Sequence, residues 1–92
     1  MFIILSHLPL LEQMINVRDK KLIQKFGYHL RELRTSAGFT QEQLANDADI
    51  PINQVGRIER GEINPTLSTL NALSRALNKT LPQLVDFPVS VE

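Results

Sequence analysis

The sequence predicts an all-α domain built from five short helices. From Asp19 onward, apolar residues recur at steps of three and four, which is the spacing of amphipathic helices. Capping and turn-forming residues separate these segments, and none of them shows the alternation that is typical of a strand. The chain has 92 residues, of which 42% are hydrophobic, and this is enough for one small core.

The first helix is predicted to begin after Asp19, which is suited to cap it, and to end at Gly38. One face of this helix carries most of its apolar side chains. We expect that face to be buried, and it consists of Leu22, Ile23, Phe26, Leu30, Leu33 and Ala37.

A tight turn is predicted to join the second and third helices. Thr40 and Gln43 have the spacing of a capping box at the start of the second helix. Asp49-Ile50-Pro51 is the predicted turn, and Pro51 suits the first position of the third helix because its missing N–H costs nothing there. The buried stripe of this pair is predicted to be Leu44, Ala45, Ala48, Val55 and Ile58. The other side of the third helix, at about 51–60, then presents Ile52, Asn53, Gln54, Gly56, Arg57 and Arg60.

Capping residues also mark the last two helices. Thr66 suits the start of the fourth helix, and Thr80 with Gln83 forms a second capping box before the short fifth helix. Pro88 prevents that helix from continuing. The apolar face of the fourth helix is predicted to consist of Leu67, Leu70, Leu73 and Leu77.

Three parts of the chain differ in composition. We predict an N-terminal extension at 1–15, a helical domain at 16–86 and a C-terminal tail at 87–92. The extension is apolar but too short to span a membrane, and it lacks the basic start and cleavage site of a signal peptide. Exposing an apolar segment of this kind to solvent is costly, so we expect it to be buried in a dimer contact or against its own domain, with disorder as the third alternative.

Composition limits the classes of function. The chain has no cysteine, which excludes disulfides and thiolate metal sites, and its two histidines are not spaced as a ligand pair. We therefore expect a cytoplasmic protein with no metal or cofactor. Ten basic and ten acidic residues give a net charge of zero. This balance argues against a protein that binds nucleic acid unspecifically through its overall charge. It does not exclude DNA binding, because the local placement of charges determines the electrostatic field at the phosphates.

The combination of several short motifs is specific. These are Leu33-Arg34, Thr40-Gln41, Leu44-Ala45 and Ile58-Glu59-Arg60-Gly61, followed by Pro65 and Leu70. From about Asp19 to Val85 the chain resembles the phage repressor and Cro-like helix-turn-helix family, also called the XRE family. The resemblance implies a five-helix lambda-repressor-like DNA-binding domain, here with an apolar N-terminal extension. It also implies that the third helix enters the major groove of double-stranded DNA, commonly as a homodimer on an inverted repeat.

The resemblance also implies roles for individual residues. Gln41 and Arg60 match phosphate contacts, and helix N-terminal amides such as those beside Gln41 favour an anion. Arg34 and Glu59 match a partly buried pair that ties the first helix to the third. The residues that match or adjoin the base-reading positions are Ile52, Asn53, Gln54 and Arg57. Arginine suits guanine, asparagine suits adenine, and an isoleucine suits the thymine methyl group.

The leading hypothesis is a sequence-specific DNA-binding transcriptional regulator, such as a phage-type repressor, a restriction–modification controller or an antitoxin. The alternative is a protein-interaction module, for example a toxin-binding antitoxin, in which DNA binding is secondary. The neutral net charge and the apolar extension favour a protein partner, either a toxin or the transcription machinery. We expect no enzyme activity, because the sequence shows no nucleophile–base pair, metal cluster or phosphate loop.

Overall fold

The computed structural model describes residues 18–89, and the predicted extension at 1–15 lies outside this range. The described part is all-helical, as predicted, and no strand occurs between residues 18 and 89. No helix in this range is long and apolar enough to cross a membrane. The helices are α1 (Lys20–Ser36), α2 (Gln41–Ala48), α3 (Ile52–Glu59), α4 (Leu67–Ala76) and α5 (Leu81–Leu84).

The predicted helix caps are present. Asp19 Oδ1 accepts a hydrogen bond from the Leu22 amide at 3.1 Å, and Thr66 caps α4 in the same way. Both capping boxes, at the starts of α2 and α5, have their two reciprocal hydrogen bonds. The position of Pro51 is a correction, because it is the N-cap of α3 and not its first helical residue. Its ψ of 141° is extended, so the helix begins one residue later than predicted.

The core lies between α1, α2, α3 and the last two helices, with α2 packed on both α3 and α4. Three residues that were predicted to be buried are exposed. Leu22 is 38% exposed, Leu67 is 69% exposed, and Ala37 is exposed as well. All three lie in the first turn or just past the last turn of a helix, so each apolar stripe extends beyond the packed part of the core. The core residues are Ile23, Phe26, Leu30, Leu44, Ala45, Ala48, Val55, Ile58, Leu73, Leu77 and Leu84.

The chain remains packed after the last helix. Phe87, which falls in the predicted C-terminal tail, is partly buried against the core. Its ring centroid lies 6.0 Å from that of Phe26 and 5.1 Å from that of His29. The end of the chain described here therefore covers one side of α1.

The turn between α2 and α3 is made by a residue in the left-handed region. Asp49 has a φ of 59°, a conformation that aspartate tolerates better than most residues. The Ile50 amide then donates to the Ala45 carbonyl at 3.0 Å, and the Ile50 side chain packs against the core. This arrangement sets the angle at which α3 leaves α2.

A buried ion pair fixes the far end of α3. Arg34 Nε donates to Glu59 Oε2 at 2.6 Å and Arg34 Nη2 donates to Glu59 Oε1 at 3.1 Å, so the contact is bidentate. The exposed fractions of the two side chains are 10% and 3%. Arg34 Nη1 also donates to the Phe39 carbonyl at 2.8 Å. The hydrogen bond to Glu59 raises the pKa of Arg34 above its ordinary value, so the guanidinium stays charged. These contacts of Arg34 join α1, the following loop and α3.

The backbones of α1 and α3 also make direct contact. A Cβ atom at Gly27 would contact the Ile58 carbonyl oxygen and would lie 2.6 Å from the Glu59 carbonyl oxygen. Any side chain at residue 27 would therefore push the helices apart. Glycine is required here for close approach, since the obstacles are backbone atoms that cannot rotate away.

Replacing Glu59 with alanine should lower the free energy of unfolding by about 3–5 kcal/mol, because Arg34 would be left as an unpaired buried charge. Urea denaturation followed by circular dichroism measures this change. Glu32→Ala is the matched control, since Glu32 is an exposed glutamate of α1 and its loss should cost less than about 0.5 kcal/mol. A Glu59→Ala protein as stable as the wild type would contradict the structural role of the pair.

Candidate nucleic-acid interface

One side of α3 presents polar and apolar side chains to solvent. Ile52 is 51% exposed, Asn53 is exposed, and the Arg57 side chain is 51% exposed. Asn53 and Arg57 are four residues apart, so they are neighbours on one face of the helix. Gln54 is half-buried and lies at the edge of this strip. The four predicted base-reading residues therefore lie on one helix, and three of them are exposed.

Gly56 was predicted to lie on the exposed side of α3, and this prediction is wrong. The residue is buried. A Cβ atom there would lie 2.9 Å from Arg60 Nη1 and 3.4 Å from Gln41 Oε1. The glycine leaves room for these two side chains, which both carry a predicted phosphate-contacting role. This neighbourhood is a physical reason for a glycine inside a helix, where it costs about 1 kcal/mol relative to alanine.

The side chain of Gln41 faces the end of α3. Its Nε2 atom donates to Glu59 Oε1 at 3.0 Å, so Gln41 adds a neutral donor to the buried ion pair. Gln41 is also the first residue of α2. The N–H groups of the first turn of a helix have no intrahelical acceptor and point toward any anion placed there. The main-chain N–H groups at the start of α2 can thus bind an anion while the Gln41 side chain stays hydrogen-bonded to Glu59.

Both arginines of the exposed face are paired with one carboxylate. Arg60 Nε donates to Glu62 Oε2 at 2.7 Å, and Arg57 Nε lies 3.6 Å from Glu62 Oε1. The hydrogen bond with Glu62 raises the pKa of Arg60, and the same bond lowers the pKa of Glu62. Both shifts favour the charged forms of Arg60 and Glu62 at neutral pH.

Glu62 was not among the residues that the sequence predicted at this face. The available signal was its spacing from the arginines, two residues after Arg60 and five after Arg57. The Glu62 carboxylate reaches the two arginines because Gly61, with a φ of 72°, reverses the direction of the chain.

The surface formed by residues 18–89 also contains an apolar groove. Leu22, Val85 and Val89 are all more than a third exposed, and they line this groove together with Phe26, Pro65 and Leu70.

Between residues 18 and 89 no group of histidine, aspartate and glutamate side chains could hold a metal ion. The described surface thus offers a polar face on α3 and an uncovered apolar groove.

The side chains on α3 have the chemistry that reads base edges. A guanidinium and a carboxamide can each make two parallel hydrogen bonds to a purine, and an isoleucine can contact a methyl group. The B-DNA major groove is wide enough for a helix. The HTH_3 helix-turn-helix family model matches residues 30–84, which include α2, α3 and the turn between them.

Several known regulators are similar to this chain. The control protein C.SmaI of Serratia marcescens is 40% identical over 57 residues, covering 62% of this chain and 68% of that protein. The control protein C.BamHI of Bacillus amyloliquefaciens is 35% identical over 63 residues, covering 67% and 78%. The crystal structure of the restriction-modification controller protein C.AhdI from Aeromonas hydrophila superposes with a TM-score of 0.65 at 39% identity, covering 70% of this chain and 96% of that one.

The family model covers more than half of the chain, and the structural similarity covers 70% of it. This family consists of DNA-binding transcription regulators and is not a family of enzymes. The chain therefore belongs to the helix-turn-helix family of Cro/C1 (XRE) type, and it is a sequence-specific DNA-binding transcriptional regulator.

Proposed function

We propose that α3 lies in the DNA major groove and that its exposed strip reads the operator. The observation that carries this proposal is the exposure of Ile52, Asn53 and Arg57 on a helix whose end is fixed by a buried ion pair. A fixed helix orients its side chains before binding, which reduces the entropy lost in the complex. Gln54, half-buried beside them, contacts a base or the adjoining backbone.

Phosphate contacts come from two places in this proposal. Arg60 follows α3 directly, and its side chain is 59% exposed. Gln41 contributes through the N-terminus of α2, because its side-chain amide is hydrogen-bonded to Glu59. Contacts of this kind fix the register of the protein on the duplex, while the base contacts supply sequence information.

We also propose that two copies bind an inverted repeat. One eight-residue helix reaches few base pairs, so a second copy would double the sequence that is read. The uncovered apolar groove at Leu22, Val85 and Val89 supports a protein–protein contact. The protein would act in the cytoplasm without catalysis, as a regulator whose effect follows from occupying its operator.

Among regulators of this family, the proposed subclass is a controller of a restriction–modification system. Its support is the similarity to two control proteins and to one restriction-modification controller, with most of each relative covered by this chain. An antitoxin that binds a toxin remains the alternative prediction. Co-purification of this protein with the product of a neighbouring gene would favour that alternative.

Replacing Arg57 with alanine should weaken operator binding about 5- to 150-fold, equivalent to about 1–3 kcal/mol, and relax the preference at one base pair of each half-site. The wild-type protein is first used to select its operator from a random duplex library, and the variant is then used to select sequences from the same library. Arg75→Ala, which removes an exposed arginine of α4, is the matched control and should select the wild-type operator. An Arg57→Ala protein that selects an unchanged sequence with unchanged affinity would contradict the assignment.

Replacing Arg60 with alanine should instead weaken binding to all sequences by a similar factor, because a phosphate contact carries no sequence information. The slope of log K against log salt concentration should become shallower by about 0.9, the contribution of one phosphate contact on B-DNA. Fluorescence polarisation at several salt concentrations measures both effects. A loss confined to the selected operator would show that Arg60 reads a base.

The stoichiometry tests the dimer proposal. Sedimentation velocity should find two protomers on a duplex with two half-sites, whose centres lie about 10 base pairs apart. A duplex with one half-site scrambled should bind more weakly and lose the second protomer. A single protomer on an operator without internal symmetry would overturn the proposal.

A further inference from the structure

Glu62 is held in place by its backbone as well as by its charge. Its amide donates to the Arg57 carbonyl at 2.9 Å, and its carbonyl oxygen accepts from Arg18 Nη2 at 2.9 Å. Gly61 makes the left-handed turn that precedes it and packs against Gln24 of α1. The loop is therefore tied to both α1 and α3, and it returns the carboxylate to the face of α3.

This position places a negative charge among the cations that are proposed to contact DNA. Arg34 and Glu59 neutralise one another inside the protein, whereas Arg57, Arg60 and Glu62 are exposed charges that lie together. The carboxylate of Glu62 offsets one of the two positive charges of these arginines. An incoming phosphate competes with the carboxylate for the same two guanidinium groups.

We propose that Glu62 is an intramolecular competitor of DNA that sets the affinity of the regulator by occupying Arg57 and Arg60 in the free protein. Binding exchanges the contacts of 2.7 Å and 3.6 Å with Glu62 for contacts with phosphate and base. This inference rests on the proposed DNA contacts of the two arginines.

The exchange has two measurable consequences. The carboxylate lowers the affinity for every DNA duplex whose binding requires Arg57 and Arg60 to exchange Glu62 for DNA. It also offsets one positive charge at the interface, so fewer counterions are released from the duplex than the two arginines alone would release. Glu62 thus lowers both the affinity and its dependence on salt.

Glu62→Gln tests the proposal because glutamine has nearly the same shape and no charge. We expect the variant to bind about three- to tenfold more tightly, the range given by one or two exposed ion pairs. Its salt slope should be steeper by about 0.9. The probes are the duplex selected from a random library and a mixed-sequence duplex of about 30 base pairs, three helical turns in length. Polarisation is measured between about 50 and 200 mM salt.

Two controls separate competition for the arginines from a general effect of charge. Glu32→Gln changes the net charge equally on α1 and should leave affinity unchanged within about twofold. In an Arg60→Ala background, Glu62→Gln should have a smaller effect, because the 2.7 Å contact is already lost. Circular dichroism melting confirms that each variant is folded.

Every outcome decides the question. Tighter binding that shrinks in the Arg60→Ala background supports the proposal. Unchanged or weaker binding by Glu62→Gln overturns it and shows that the carboxylate orients Arg57 in the complex or has no role. Tighter binding of equal size in both backgrounds also overturns it, because plain repulsion of phosphate would then suffice. If Arg57→Ala and Arg60→Ala bind all DNA like the wild type, it is the proposed interface that fails.

Discussion

The bidentate contact between Arg34 and Glu59 is the interaction on which the rest of the structure depends. It is a buried pair of charges, and its geometry satisfies both groups because Phe39 and Gln41 supply further hydrogen bonds. A pair of this kind contributes little to stability compared with apolar residues of the same shape, but it is costly to break on one side. Its value is positional, since it determines where the end of α3 lies relative to α1.

Local sequence signals were enough to predict the helices and their order. Thr40 with Gln43 and Thr80 with Gln83 act within one turn, so their capping boxes could be read from the sequence directly. The Arg34–Glu59 pair spans 25 residues, and it was predicted from family resemblance alone. No periodicity brings such distant residues together. The packing at Gly56 was unpredictable for the same reason, because it depends on side chains of α2 and of the residue after α3.

Zero net charge does not conflict with DNA recognition in this chain. The acidic residues near α3 have separate tasks, with Glu59 inside the scaffold and Glu62 among the exposed arginines. Because Glu62 lies among the arginines of the proposed interface, we expect this face to attract phosphate only weakly beyond its specific contacts. In the proposed binding mode, recognition would depend on base-edge contacts and on the proposed second copy more than on general attraction to DNA.

Gly27 has a consequence for how this domain could change over evolution. Gly27 approaches α3 at the main-chain carbonyl groups of Ile58 and Glu59, so this packing contact between α1 and α3 does not involve the outward-facing side chains of α3. Ile52, Asn53 and Arg57 can therefore be exchanged without disturbing the contact. In the proposed binding mode, relatives that share the scaffold could acquire new operators through a few codon changes, and the same three positions are a compact target for engineering a regulator with a chosen recognition sequence.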